Sequence, residues 1–354
     1  MQEKSFIPLV ELTRGEIVES IHFGAVVICN NQGEILFNAG DPAFFTYLRS
    51  TAKPLQVLAL LEHPAVKQFN LEEDEIAIMC ASHSGTDEHV KVLTKLQNKI
   101  GIDENDLLCG THLPFDHVTA NQIIRGEARL STLRHNCSGK HSGMLALSNL
   151  LGEPKENYLD PQQPTQQLIL KTCGEMFEFP ANQFKMGTDG CSAPVFAVPM
   201  LNAALAYARL CQPDELPSSR AQACRQVTHA MMTHPFLVAG PDRFDTAIMQ
   251  ALPGKLIAKT GAEGFFGIGI MPDALHEGSP AMGIMLKIID GDLRERAKPV
   301  ACMSILKHLG LITPKEEALL QDYDAASINN WRDIPVGEIR PSKELNEVLQ
   351  SWKL

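Results

Sequence analysis

The hydrophobic pattern changes character twice along the chain. Residues 16–28 (EIVESIHFGAVVI) form an extended, β-branched run, and the polar cluster from Asn30 to Gly33 separates it from a second extended run, GEILFNAG. The pair predicts a β-hairpin. Beyond Leu36 apolar residues recur at helical spacing, which predicts helices near 54–63, 86–100, 140–151, 161–177, 194–211 and 217–233. Extended patterning returns at residue 255, where KLIAKTG, FFGIGIM and AMGIMLKIID read as three short strands, followed by a helix over about 292–309. Two early strands and three late ones predict an α+β fold. Its mainly antiparallel five-stranded sheet is built from both chain ends and flanked by helices, with a helical lobe inserted. The chain reads as a single domain over 1–354, with a sheet lobe at about 1–60 and 250–312 and a helical lobe at about 61–249. The tail after about 313 reads as short helical turns and loop.

Charge and cysteine content then narrow the partners. The formal net charge is −11 and no Lys/Arg block interrupts it, which argues against nucleic acid and against an anionic membrane surface. The first twenty residues carry acidic side chains where a signal peptide needs an apolar core, and no stretch approaches the roughly 20 apolar residues of a membrane span. A cytoplasmic protein is expected. Nine cysteines, with no CxxC pair, form an odd set that reads as reduced thiols and not as a disulfide framework.

Five short segments carry the chemistry. In Arg49-Ser50-Thr51-Ala52-Lys53, an SxxK spacing at a helix entrance puts serine and lysine on one face, where a neutral lysine can take the hydroxyl proton. That requires lowering a lysine from about 10.4 to near 7, or roughly 4 kcal/mol, which burial and a neighbouring cation can supply. A serine there is also an ordinary helix cap. Pro54 predicts a strained or tight helix start at Lys53. Lys259-Thr260-Gly261 on a late strand is the partner of SxxK in the serine β-lactamase and penicillin-binding-protein architecture, and is equally a solvated strand end. The hydroxyl-rich turn Cys80 to Gly85 suits a pocket lining, and Ser82 could pair with Lys259, although capping alone accounts for Ser84 or Thr86. Asn136 to Gly143 and Gly187 to Ser192 are Gly-rich loops, each carrying one cysteine before a helical segment. Two thiolates and a third donor can hold zinc, but neither spacing resembles a ribbon or finger, and free cysteines usually pack as small hydrophobes. Glu72 to Glu75 reads as a solvated helix start, and His229 and His234 as structural.

Taken together, RSTAKPLQ at 49–56, ASHSG at 81–85, HNCSGKHSGM at 135–144, GTDGCSAP at 187–194 and KTGAEG at 259–264 are similar to the rhizobial-type L-asparaginases of the asparaginase II family. The matches span more than half of the chain, in the family's order. The resemblance implies a fold related to glutaminases and serine β-lactamases, and hydrolysis of L-asparagine to L-aspartate and ammonia. It implies two Ser-Lys tandems, Ser50 with Lys53 and Ser82 with Lys259. Also implied are a zinc ion held by Cys137, Lys140 and Cys191 with Asp189 and His141 beside it, and a homodimer. His83, His141, Gly261 and Ala262 are expected substrate contacts. Arg49 is assigned the α-carboxylate, since guanidinium matches carboxylate bidentately.

Three rivals stay in competition. A glutaminase differs by one methylene, worth about 1–3 kcal/mol of discrimination. A β-lactamase, DD-peptidase or esterase shares SxxK and KTG, but its peptidoglycan chemistry lies outside the cytoplasm. A zinc- or thiol-based sensor would use the cysteine loops without turnover. The acidic chain leads to one more expectation: Arg49, Lys53, Lys140 and Lys259 should make the site locally cationic for an anionic substrate.

Overall fold

A computed structural model describes residues 5–353. Contacts divide the chain into two compact units. The first comprises residues up to Thr46, Pro199–Gln212 and Ala247 onward; the second comprises Tyr47–Val198 and Pro213–Thr246.

The first unit is built on an antiparallel sheet. Its strands are β1 (Ile7–Arg14), β2 (Ile17–Asn30) and β3 (Ile35–Ala39), later joined by three buried ones at Leu256–Thr260, Phe265–Ile270 and Met282–Ile288 and by two at Ala326–Asn329 and Pro335–Pro341. The sheet has eight strands and not the expected five. Its order runs from Ala326–Asn329 through Pro335–Pro341, β1, β2, Met282–Ile288 and Phe265–Ile270 to Leu256–Thr260, with β3 on β2. The expected hairpin is present, with Val26 opposite Ala39. The strands Leu256–Thr260, Phe265–Ile270 and Met282–Ile288 are buried at every position, which explains their continuous apolar runs. The missed strands lack a clean signal for identifiable reasons. Register shifts between Pro8 and Val10 and between Leu12 and Thr13 break the alternation of β1. The two C-terminal strands are polar and largely half-exposed or exposed. The tail is therefore a sheet edge followed by the helix Lys343–Ser351, which packs on β1.

The helix Met200–Cys211 lies against β2 and the Phe265–Ile270 and Met282–Ile288 strands. Close approach depends on Gly283, where a Cβ would fall 1.8 Å from the Ala204 carbonyl oxygen. The helix expected from 194 begins only at Met200, because Pro194–Pro199 is a fully buried strand bounded by prolines. An apolar run of that length reads equally as strand or helix. The late helix expected from 292 starts at Ala297.

In the second unit the short helix Glu73–Met79 is the hub, touching Asp87–Ile100, Ser138–Leu151 and Ser218–Thr233. Those three helices match their expected ranges to within two residues. Glu75 is not solvated as expected. It is fully buried, accepting from the Glu72 N–H at 2.7 Å and from Lys99 at 2.9 Å, so it closes a capping box.

Candidate active site

The second unit's site begins at a tight turn. Arg49–Ala52 is a 3-10 turn running directly into the helix Lys53–Gln56. Arg49 has φ +49°, a left-handed conformation costing of order 1–3 kcal/mol for a residue with a side chain. Lys53 itself is regular right-handed helix, φ −60° and ψ −43°, so Pro54 makes the start tight without straining the lysine. The strain sits four residues earlier.

Lys53 is 1% exposed. Its Nζ donates to the Ala81 carbonyl at 2.6 Å, to Ser82 Oγ at 2.9 Å and to the Asn136 carbonyl at 3.3 Å. Burial pushes its pKa down; the Cys137 sulfur pulls it back, and Lys140 pushes it down again. Ser50 is half-buried, and the structure shows no hydrogen bond between its hydroxyl and Lys53.

Ser82 follows the hub helix, its N–H donating to the Val238 carbonyl at 2.9 Å. His83 is fully buried and both its ring nitrogens have protein partners: Nδ1 accepts from Gly85 N–H at 3.2 Å and Nε2 meets Ser138 Oγ at 2.9 Å. Thr86 caps the next helix, as expected.

The Ser138–Leu151 helix reaches the hub because position 139 is glycine. A Cβ there would fall 1.9 Å from the Ile78 carbonyl oxygen. This contact brings Cys137 and Lys140 to the same place as Cys191. Lys140 Nζ donates to Cys191 Sγ at 3.0 Å and lies 4.0 Å from the Asp189 carboxylate. A hydrogen bond from Cys191, and then the Lys53 and Lys140 cations, hold Cys137 well below the usual thiol range, whereas the same bond and burial push Cys191 up. Burial opposes the charge on Lys140, but the two sulfurs and Asp189 outweigh it and raise its pKa. The Lys53 and Lys140 cations thus favour a thiolate on this sulfur pair. Two sulfurs and an amine nitrogen in one buried cluster fit the soft donor chemistry of zinc. Among the described residues no three His, Cys, Asp or Glu side chains form a ligand group, so the set depends on Lys140.

Beside this cluster the Arg49 guanidinium engages Asp189, with Nε and Nη2 each 2.9 Å from Oδ1. Both side chains keep some exposure, 26% and 10%. A guanidinium next to a carboxylate is complementary to the carboxylate and ammonium of an α-amino acid.

Lys259 belongs to the first unit. It is fully buried on its strand and donates to the Thr260 carbonyl at 3.0 Å. Gly261 N–H donates to the Phe265 carbonyl at 2.8 Å, and Ala262 is exposed in the turn that follows.

The remaining participants are absent from the expected list. The Asn136 carbonyl holds Lys53, His135 Nδ1 accepts from the Cys137 N–H at 3.0 Å, and Tyr158 Oη meets His141 Nδ1 at 2.6 Å. His135 and Asn136 lie inside a quoted motif, but Tyr158 lies outside every motif. All nine cysteines are buried. Burial alone pushes Cys29 up to about 12, as suits a packing residue.

The chain belongs to the L-asparaginase II family, whose model matches residues 10–341. It is therefore an amidohydrolase of asparaginase/glutaminase type. Among solved structures it is similar to a probable glutaminase from Bacillus subtilis complexed with 6-diazo-5-oxo-L-norleucine. The TM-score is 0.41 at 12% identity, over 81% of this chain and 84% of that one. A Bacillus glutaminase crystallised in the presence of 4.3 M NaCl gives a TM-score of 0.37 at 13% identity, over 81% and 91%. No curated protein matches the chain. Among the described residues no helix is long and apolar enough to cross a membrane.

Proposed function

We propose that this chain hydrolyses L-asparagine to L-aspartate and ammonia through a serine ester. The observation that carries the reading is the buried Lys53 amine bonded to the Ser82 hydroxyl at 2.9 Å, one turn beyond the accessible Ser50 and in the same unit as the Arg49–Asp189 pair. Arg49 binds the substrate carboxylate and Asp189 its ammonium. Ser50 Oγ attacks the side-chain amide carbon and its proton passes to Lys53 Nζ. The C–N bond then breaks as the lysine's proton, relayed through Ser82, leaves with ammonia. Water, deprotonated by the same amine, attacks the ester and releases aspartate. The missing Ser50–Lys53 hydrogen bond is one that catalytic sites tighten in the Michaelis complex.

His83, with both ring nitrogens engaged, supports the start of the Ser138–Leu151 helix and does not itself bind substrate. Cys137, Lys140 and Cys191 would hold the zinc ion, whose chemistry when bound is a fixed positive charge for an anionic substrate. A homodimer is the assembly the family resemblance favours. Glutamine is the closest competing substrate, at about 1–3 kcal/mol of discrimination.

Steady-state ammonia release from both amides tests the assignment. Ser50→Ala should remove turnover, and Ser82→Ala should slow it by about 10²–10⁴-fold, the range of a lost proton-transfer group. The opposite ranking would make Ser82 the nucleophile. Turnover of a chromogenic β-lactam without ammonia from either amide would contradict the reading.

A further inference from the structure

Two buried groups of the second unit lie at opposite ends of one hydrogen-bond chain. Tyr158 is fully buried and its Oη accepts from the Leu108 N–H at 2.8 Å. Gln166, also buried, holds the Tyr158 carbonyl through Nε2 at 2.7 Å, so the ring is anchored at both ends. The same Oη lies 2.6 Å from His141 Nδ1. His141 is fully buried, and its Nε2 has no hydrogen-bond partner.

These contacts decide the tautomer. Were His141 to donate from Nδ1, the Tyr158 hydroxyl hydrogen would be buried with no acceptor, at a cost of about 1–3 kcal/mol, and Nε2 would be a second orphan. With Tyr158 donating to Nδ1, the phenol is satisfied and the single orphan is an Nε2–H. A doubly protonated ring would again leave the phenol hydrogen unpaired, so the neutral Nε2–H form leaves the fewest buried groups without a partner. An N–H at this depth takes an acceptor that the folded chain does not itself supply, a water or a ligand oxygen.

We propose that Tyr158 is a positioning residue that fixes His141 in the Nε2–H form, reserving that donor for an oxygen of the amino-acid substrate. The kinetic part rests on the amidohydrolase reading; the tautomer part does not. Tyr158→Phe keeps the ring and removes the hydroxyl, and His141→Gln places an amide N–H near the Nε2 position without needing a tautomer to be chosen.

Nitrogen-15 NMR of histidine-labelled protein, with His141 assigned from the His141→Gln difference, should show a protonated Nε2 and an unprotonated Nδ1. Tyr158→Phe should convert this to a tautomer mixture. In kinetics, Tyr158→Phe should raise KM for asparagine about tenfold with kcat little changed, the scale of one hydrogen bond. The same substitution should add no further rise in the His141→Gln background. A protonated Nδ1 in the parent protein, or an equal KM penalty in both backgrounds, would overturn the proposal. A parent protein with the expected tautomer but no amide hydrolysis would overturn the functional reading and leave the assignment of Tyr158 standing.

Discussion

Lys53 and Cys137 set the chemistry of the site between them. A buried lysine becomes a base only when burial outweighs the anionic groups around it, and the Cys137 sulfur works against that. A metal ion taking up the negative charge of the sulfur would leave Lys53 to burial and to its two carbonyl acceptors. Because the metal's proposed part is a fixed positive charge for the substrate, its removal should act mainly on substrate affinity and only secondarily, through the Lys53 proton, on turnover. Metal analysis of Cys137→Ser should show zinc lost from the chain. Both that variant and chelator-treated parent protein should show a raised KM for asparagine, by about tenfold or more, with turnover surviving at saturation. Turnover abolished at saturating asparagine would put the metal in the chemistry itself. At this scale much was legible in advance: Arg49, Lys53, Ser82, Cys137, Lys140, Asp189 and Cys191 converge in one unit from four separate motifs. Two participants left no trace in the sequence. The Asn136 acceptor is a backbone carbonyl, which any residue supplies, and Tyr158 is one aromatic residue in a polar loop, joined to the site only by folding.

Among the elements, the helix Asp87–Ile100 illustrates how a cap can titrate. His89 Nε2 donates to the Phe236 carbonyl at 3.1 Å, so its Nδ1 is the neutral acceptor for the Thr86 N–H at 3.2 Å. Burial lowers its pKa to about 4 against an ordinary 6.5, with only the Phe236 carbonyl and Asp116 opposing. The folded chain therefore binds this proton less readily than the unfolded chain. The contribution to stability is complete above about pH 6.5 and is lost as the pH falls towards 4, up to roughly 3 kcal/mol. His83 carries the same sign, from burial and then from His89. Urea midpoints should fall steeply across that window in the parent chain and less steeply in His89→Gln; parallel pH profiles would show that the cap does not titrate with folding. The elements also show where sequence patterning fails. Capped, periodic helices were legible to within a residue or two. The bulged β1, the polar C-terminal strands and the proline-bounded strand Pro194–Pro199 were not, because none shows the two-residue alternation by which a half-buried strand is recognised.

Over the whole molecule, a net charge of −11 coexists with a cluster in which Arg49, Lys53 and Lys140 gather around Asp189 and a thiolate. Global charge discourages anionic macromolecules, and local charge admits a small zwitterion. The excess of acidic residues is placed elsewhere, as in the Glu72, Asp74 and Glu75 side chains that hold Lys95 and Lys99. The central claim is that one buried amine drives amide hydrolysis. Its most direct test is the rate of ammonia release from L-asparagine by Lys53→Met beside the parent protein, both verified as folded by their unfolding midpoints. Methionine keeps an unbranched side chain of similar length and removes the charge and the proton acceptor. The account predicts that parent turnover falls by at least about 10³-fold in the variant, as for loss of a base acting on a nucleophile. A folded Lys53→Met protein releasing ammonia at the parent rate would contradict it.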